Sequence, residues 1–87
     1  MKILCSSLYE QQLKVILAEF ETFKSAKDFK LYLDTIVMNA PTKARKYKQS
    51  IYFDDEDVKD IEYEDYTIIM HINEEKESYF LVGIVKK

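Results

Sequence analysis

The apolar residues of this chain follow one period before Pro41 and another after it. Leu13, Ile16, Leu17 and Phe20 recur at helical spacing, with Gln11, Gln12, Lys14, Glu19 and Glu21 on the other side. Phe29, Leu33, Ile36, Val37 and Ala40 repeat that pattern, with Tyr32 on the flank. Each stretch opens on a capping-box sequence, Ser7-Leu8-Tyr9-Glu10 and Ser25-Ala26-Lys27-Asp28. The connection around residues 22–24 is short enough to demand a helix hairpin. Pro41 is expected to stop the second helix, because proline disfavours helical geometry in the residue before it.

After Pro41 the signals are those of strands. Residues 42–48 read as a basic loop and residues 50–53 as strand-like. Residues 54–57, Asp54-Asp55-Glu56-Asp57, read as a solvated turn. They lack the alternating oxygen ligands and the glycine of a calcium loop. Residues 58–63 alternate apolar and polar side chains, and 66–72 and 78–85 are rich in β-formers. The short apolar stretch 2–5 reads as a strand at the start. The expected fold is therefore α+β in the order β-α-α-β-β-β: an antiparallel meander sheet with an N-terminal strand, covered on one face by a two-helix hairpin. Its 87 residues suit a single domain, 1–87.

Composition excludes several classes. The longest apolar run falls far short of the about 20 residues that span a bilayer. One cysteine, Cys5, allows no internal disulfide, and with one histidine no Cys/His zinc site can be assembled. Cys5, in an apolar strand, reads as a buried structural thiol, and a reducing cytoplasmic setting is expected. No metal and no cofactor is implied. The net charge of −3 conceals an asymmetry, with +4 on residues 1–50 and −7 on residues 51–87.

The only cationic cluster is Lys43, Arg45, Lys46 and Lys48, with Tyr47 among them. It is the candidate binding segment, for phosphates or for an acidic partner segment, and its alternative is a solvated loop. His71 is a candidate acid/base group on the sheet face opposite Met70 and Ile72. Tyr47, Tyr52, Phe53, Tyr63, Tyr66, Tyr79 and Phe80 admit two readings. They form either an aromatic partner groove or a set of tyrosines with wet hydroxyls at the core edge.

With its element order, the stretch Arg45–Ile61, the segment Asp65-Tyr66-Thr67-Ile68-Ile69-Met70-His71-Ile72 and the final Leu81-Val82-Gly83-Ile84-Val85, the chain resembles the RelE/ParE superfamily of bacterial type II toxins. The resemblance implies a cytoplasmic toxin neutralised by a cognate antitoxin protein, with DNA gyrase or ribosome-bound mRNA as the target. Members that cleave mRNA hold the scissile phosphate with basic groups along the meander strands and beyond the last strand. At the matching positions this chain has Asp60 for a Lys, Thr67 for an Arg and Met70 for a Tyr, and it ends at Lys87. These departures imply a ParE-like toxin that acts by binding its target. The alternatives are a weak ribosome-dependent endoribonuclease using Lys46, Lys48, Lys59 and His71, or a degenerate toxin-fold interaction module.

Overall fold

The computed structural model describes residues 2–87, with the Arg45 side chain outside the described residues. Strand β1 (Lys2–Cys5) leads into helix α1 (Ser7–Ala18) and helix α2 (Phe23–Lys43), which ends in a 3-10 turn (Ala44–Lys46). Strands β2 (Val58–Tyr63), β3 (Tyr66–Asn73) and β4 (Ser78–Lys86) follow. The sheet order is β1-β4-β3-β2. The meander pairs antiparallel, while β1 lies parallel to β4, with Ile3 opposite Tyr79 and Leu4 opposite Phe80. The α+β architecture and the element order are those expected from the two periods, and the helix hairpin covers one face of the sheet.

The helices turn the residues that their period selects to the core, Leu17, Phe20 and Ile36 half-buried at its edge. Leu13 and Ile16 of α1, and Phe29, Leu33, Val37 and Ala40 of α2, meet Ile61, Ile68, Met70, Ile72, Leu81 and Ile84 of the sheet. Phe29 sits at one end of this core, with ring centroids 5.0 Å from Phe20, 5.1 Å from Tyr63 and 5.6 Å from Tyr66. The Tyr63 hydroxyl donates to the Phe29 carbonyl at 3.2 Å, tying β2 to α2. Aromatic pairs at such separations add about 0.5–1.5 kcal/mol beyond area burial.

Several boundaries differ from expectation, each for a local reason. The α1 cap is Ser6, one residue before the Ser7 box: its hydroxyl accepts the Tyr9 amide at 2.9 Å. The α2 cap is Thr22, whose hydroxyl accepts the Ser25 amide at 3.0 Å. The connection therefore lies at residues 19–22. Pro41 does not stop α2, which continues to Lys43. Ala40 and Ala44, one turn apart, are both buried, and the Thr42 hydroxyl donates to the Asn39 carbonyl at 2.8 Å. Near a helix end, burial and a side-chain bond thus offset the missing proline amide. Residues 50–53 are not a strand either: beyond the single bridge between Gln49 and Lys59, the chain leaves the sheet.

One glycine in the chain leaves the hairpins without their usual residue. Glu64 in the β2–β3 turn and Glu77 in the β3–β4 turn adopt positive φ of 53° and 48°. That region costs a non-glycine residue roughly 1–2 kcal/mol. The lone Gly83 is used instead inside β4, one residue past an irregularity where Ile69 faces Gly83 but Met70 faces Leu81, leaving Val82 as the extra residue.

Candidate functional site

The segment that follows α2 carries the cationic cluster, and buried anchors set its course. Ala44 is buried and Tyr47 packs against the helix-side core. Past Tyr47 the backbone is pinned along β2: the Asp60 amide donates to the Lys48 carbonyl at 3.1 Å and the Ser50 amide to the Val58 carbonyl at 2.7 Å. Around these anchors Lys43, Lys46 and Lys48 are exposed. Of the expected binding residues, Arg45 has a side chain outside those described.

The cluster faces two clefts rather than one. An opening of about 600 Å³ at the end of α2 is lined by Lys43 and Lys46 together with Ile72, Glu74, Glu77 and Tyr79. A second, of about 450 Å³, is lined by Lys46, Tyr47, Lys48 and Ile51 together with Asp60, Glu62 and Thr67. Strand alternation places Asp60, Glu62 and Thr67 on the sheet face opposite Ile61 and Ile68, away from the helices. Asp60 Oδ2 accepts the Ile51 amide at 3.0 Å, while its Oδ1 is buried with no hydrogen-bond partner. Glu62 meets Lys87 at 3.6 Å across an exposed pair.

The candidate catalytic groups do not converge. Lys46 and Lys48 share the second cleft. Lys59 stands opposite Met70 on the helix-covered face, beside Glu56, Asp57 and Glu74. His71 stands opposite Val58 and Phe80 on the other face, half-buried, as the alternation with Met70 and Ile72 requires. Among the described residues, no group of three or more His, Cys, Asp or Glu side chains is placed to hold a metal ion.

Cys5 is exposed, not buried as the apolar strand implied. Alternation turns Ile3 and Cys5 to the helix side and Leu4 to the other, but Cys5 stands at the end of a four-residue edge strand, where the core no longer covers it. Partial burial of the thiol, then the carboxylates of Glu10 and Asp34, push its pKa up, with Lys30 opposing them. That holds it in the less reactive thiol form.

The aromatic set divides between its two readings. Tyr47, Tyr63, Tyr66 and Tyr79 pack at the core edge. Tyr52, Phe53 and Phe80 are exposed. One feature lay outside the sequence signal: Leu4, Phe80, His71 and Val58 fall in one row across all four strands. Only the parallel β1–β4 pairing assembles it.

No family model and no curated protein sequence matches the chain. Solved structures do. Conserved hypothetical protein HP0892 from Helicobacter pylori is 21% identical, with a TM-score of 0.67 over 99% of this chain and 93% of that one. The toxin–antitoxin complex RelBE2 from Mycobacterium tuberculosis contains a chain that is 4% identical, with a TM-score of 0.69 over 99% of this chain and 96% of that one. At such identities the shared property is the path of the backbone: this chain has the same fold as HP0892 and as a chain of the RelBE2 complex.

Proposed function

We propose that the chain is the toxin of a type II toxin–antitoxin pair, ParE-like in acting by binding its target, and bound in turn by a cognate antitoxin. The fold shared with a chain of the RelBE2 complex supports the toxin reading. The observation that carries the binding mode is the pair Asp60 and Glu62 on the face away from the helices, beside Thr67. A phosphate placed against them would meet like charge, at a few kcal/mol for a pair near 4 Å at the protein surface, and the described cations lining that cleft, Lys46 and Lys48, come from the preceding segment and not from the sheet. The basic groups a nuclease needs on that face are absent from β2 and β3, and Lys59 and His71 lie on opposite faces. In this reading residues 1–87 act as one unit in the cytoplasm. Lys43, Arg45, Lys46, Tyr47 and Lys48 receive the antitoxin, and DNA gyrase is the first target to test. No described helix is long and apolar enough to cross a membrane.

Expression of the chain alone, and together with the small product encoded beside it, tests this. The expected result is growth arrest relieved by co-expression, a co-purifying complex, and intact transcripts during arrest. Harmless expression with no binding partner would sink the toxin reading. Cleavage of ribosome-bound mRNA would replace the binding mode with the endonuclease.

A further inference from the structure

Residues 43–57 hold three blocks in a row: four basic residues within 43–48, the apolar triplet Ile51-Tyr52-Phe53, and four acidic residues at 54–57. The triplet is unusually open to water, with Ile51 85%, Tyr52 47% and Phe53 43% exposed. It is nevertheless held in place. The Ile51 amide donates to Asp60 Oδ2 at 3.0 Å and the Tyr52 amide to the Ser50 hydroxyl at 3.1 Å. On the acidic side, the Asp57 amide donates to Asp55 Oδ1 at 2.9 Å, and the Ile72 amide to the Asp57 carbonyl at 2.8 Å. The side chains of Asp60 and Ser50 therefore satisfy backbone donors that a strand would otherwise use, and the triplet is turned outward with little entropy left to lose on docking.

Among the described side chains, Lys43, Lys46, Lys48 and residues 54–57 form no ion pair; the pairs there are Lys24–Asp28, Lys30–Asp34 and Lys87–Glu62. Three adjacent exposed apolar side chains between blocks of opposite sign whose described side chains form no ion pair mark an interaction surface. The order basic, apolar, acidic also names its occupant. Turned about a two-fold axis at Ile51, the order of the chain sets Lys48 against Asp54 and Lys46 against Glu56 of an identical copy, and the reverse, with Ile51 meeting Ile51. Self-complementarity of this kind is what an isologous interface requires.

We propose that residues 46–56 form a homodimer interface, in which a second copy of this chain covers Ile51, Tyr52 and Phe53 and pairs its Asp54 and Glu56 with Lys48 and Lys46. The proposal stands apart from the toxin reading. An antitoxin seated on the basic block would displace the second copy, so the dimer belongs to the chain alone. A single short segment supplies fewer residues than the roughly 20–30 a side of a stable interface, so the association is concentration-dependent.

Analytical ultracentrifugation of the purified chain over a range of concentrations tests it. The mass should rise from 10.4 kDa toward twice that value. The association should weaken as ionic strength increases from about 0.1 M to about 1 M, where the Debye length falls to about 3 Å. Ile51→Asp should weaken dimerisation at least tenfold without loss of the far-ultraviolet circular dichroism of the fold. The charge variants Lys46→Glu/Lys48→Glu and Asp54→Lys/Glu56→Lys alter only exposed side chains and should each be monomeric. Mixed together, they should form a heterodimer. A chain that is monomeric throughout, a dimer indifferent to Ile51→Asp, or charge variants that fail to associate on mixing would each overturn the proposal.

Discussion

Gln12 Oε1 accepts the backbone amide of Ile84 at 2.9 Å and stands 2.9 Å from the point where a side chain on Gly83 would begin. The only glycine of the chain thus leaves room for a helix side chain to bond the last strand beside its irregularity. Gly83→Ala should push the Gln12 amide away and cost about 1 kcal/mol, the worth of one hydrogen bond. Gln12→Ala leaves the Ile84 amide without that bond and should cost about 1–3 kcal/mol. In the double variant the second change should add almost nothing, because the clash is with Gln12 itself. Urea unfolding of the four proteins measures the coupling, and additive losses would refute the arrangement.

Ser6 joins the same region from the other side. Its hydroxyl accepts the Tyr9 amide at 2.9 Å and donates to the Val82 carbonyl at 2.6 Å, linking positions 76 residues apart. Ser6→Ala removes a helix cap and a tie to β4 together and should cost about 1–2 kcal/mol. Ser7→Ala, at the exposed neighbour that the capping-box pattern favours, should stay within about 0.5 kcal/mol of wild type. Chemical denaturation distinguishes the two, and equal losses would return the cap to Ser7.

Glu64 and Glu77 hold left-handed backbone at φ of 53° and 48°. Glycine relieves that strain but has more freedom to lose on folding, about 0.5–1 kcal/mol. Glu64→Gly and Glu77→Gly should each therefore raise stability by roughly 0.5 kcal/mol, the remainder of a cost near 1–2 kcal/mol. Thermal melts should show higher midpoints for both, and additively so, since the turns lie at opposite ends of β3.

Tyr9, in the first turn of α1, is buried, and burial first, then Cys5 and Asp34, push its phenol well above the ordinary value of 10.0. The folded state therefore keeps a proton that the unfolded chain loses near pH 10, so the unfolded state binds fewer protons there. Stability is fully present below about pH 10 and falls as pH rises through the folded pKa. Tyr9→Phe has no proton to lose, and its stability should fall less steeply above pH 10 than that of wild type. Denaturant midpoints measured from pH 8 to about pH 11 check this; parallel slopes would contradict it.

Much of this architecture can be read along the chain. The helical period selects Leu13, Ile16, Leu17, Phe20, Phe29, Leu33, Ile36, Val37 and Ala40; Leu17, Phe20 and Ile36 are half-buried against the core and the others are buried. The β-rich segments and their charged turns mark β2, β3 and β4 within a residue or so. Errors arise where a contact from elsewhere overrules the local signal. Ala44 finds a buried place that carries α2 past Pro41, and the Asp60 carboxylate captures the Ile51 amide and draws residues 50–53 off the sheet. Val58 shows a subtler case. The alternation read over 58–63 holds for Ile61 and Tyr63, but Val58 and Ile61 are three apart and so point to opposite faces, and Val58 is buried outside the helix-side core.

The candidate site divides in the same way. The basic block at 43–48 and the acidic block at 54–57 are visible as charge, and Asp60 and Thr67 are visible as residues. That Asp60, Glu62 and Thr67 share one cleft with Lys46 and Lys48, while Lys59 and His71 face opposite ways, follows only from the strand register.

The amino-acid sequence by itself determined the elements, their order and the side of each helix that leaves water, because period and most turn chemistry act within a few residues. The tertiary structure alone decided that β1 lies parallel to β4, that Val82 is the extra residue, and that Leu4, Phe80, His71 and Val58 form one row. A hydrophobic pattern says which atoms leave water, but not which distant strand edge will take them. That choice is made only when residues as far apart as Ser6 and Val82 meet and satisfy each other's polar groups.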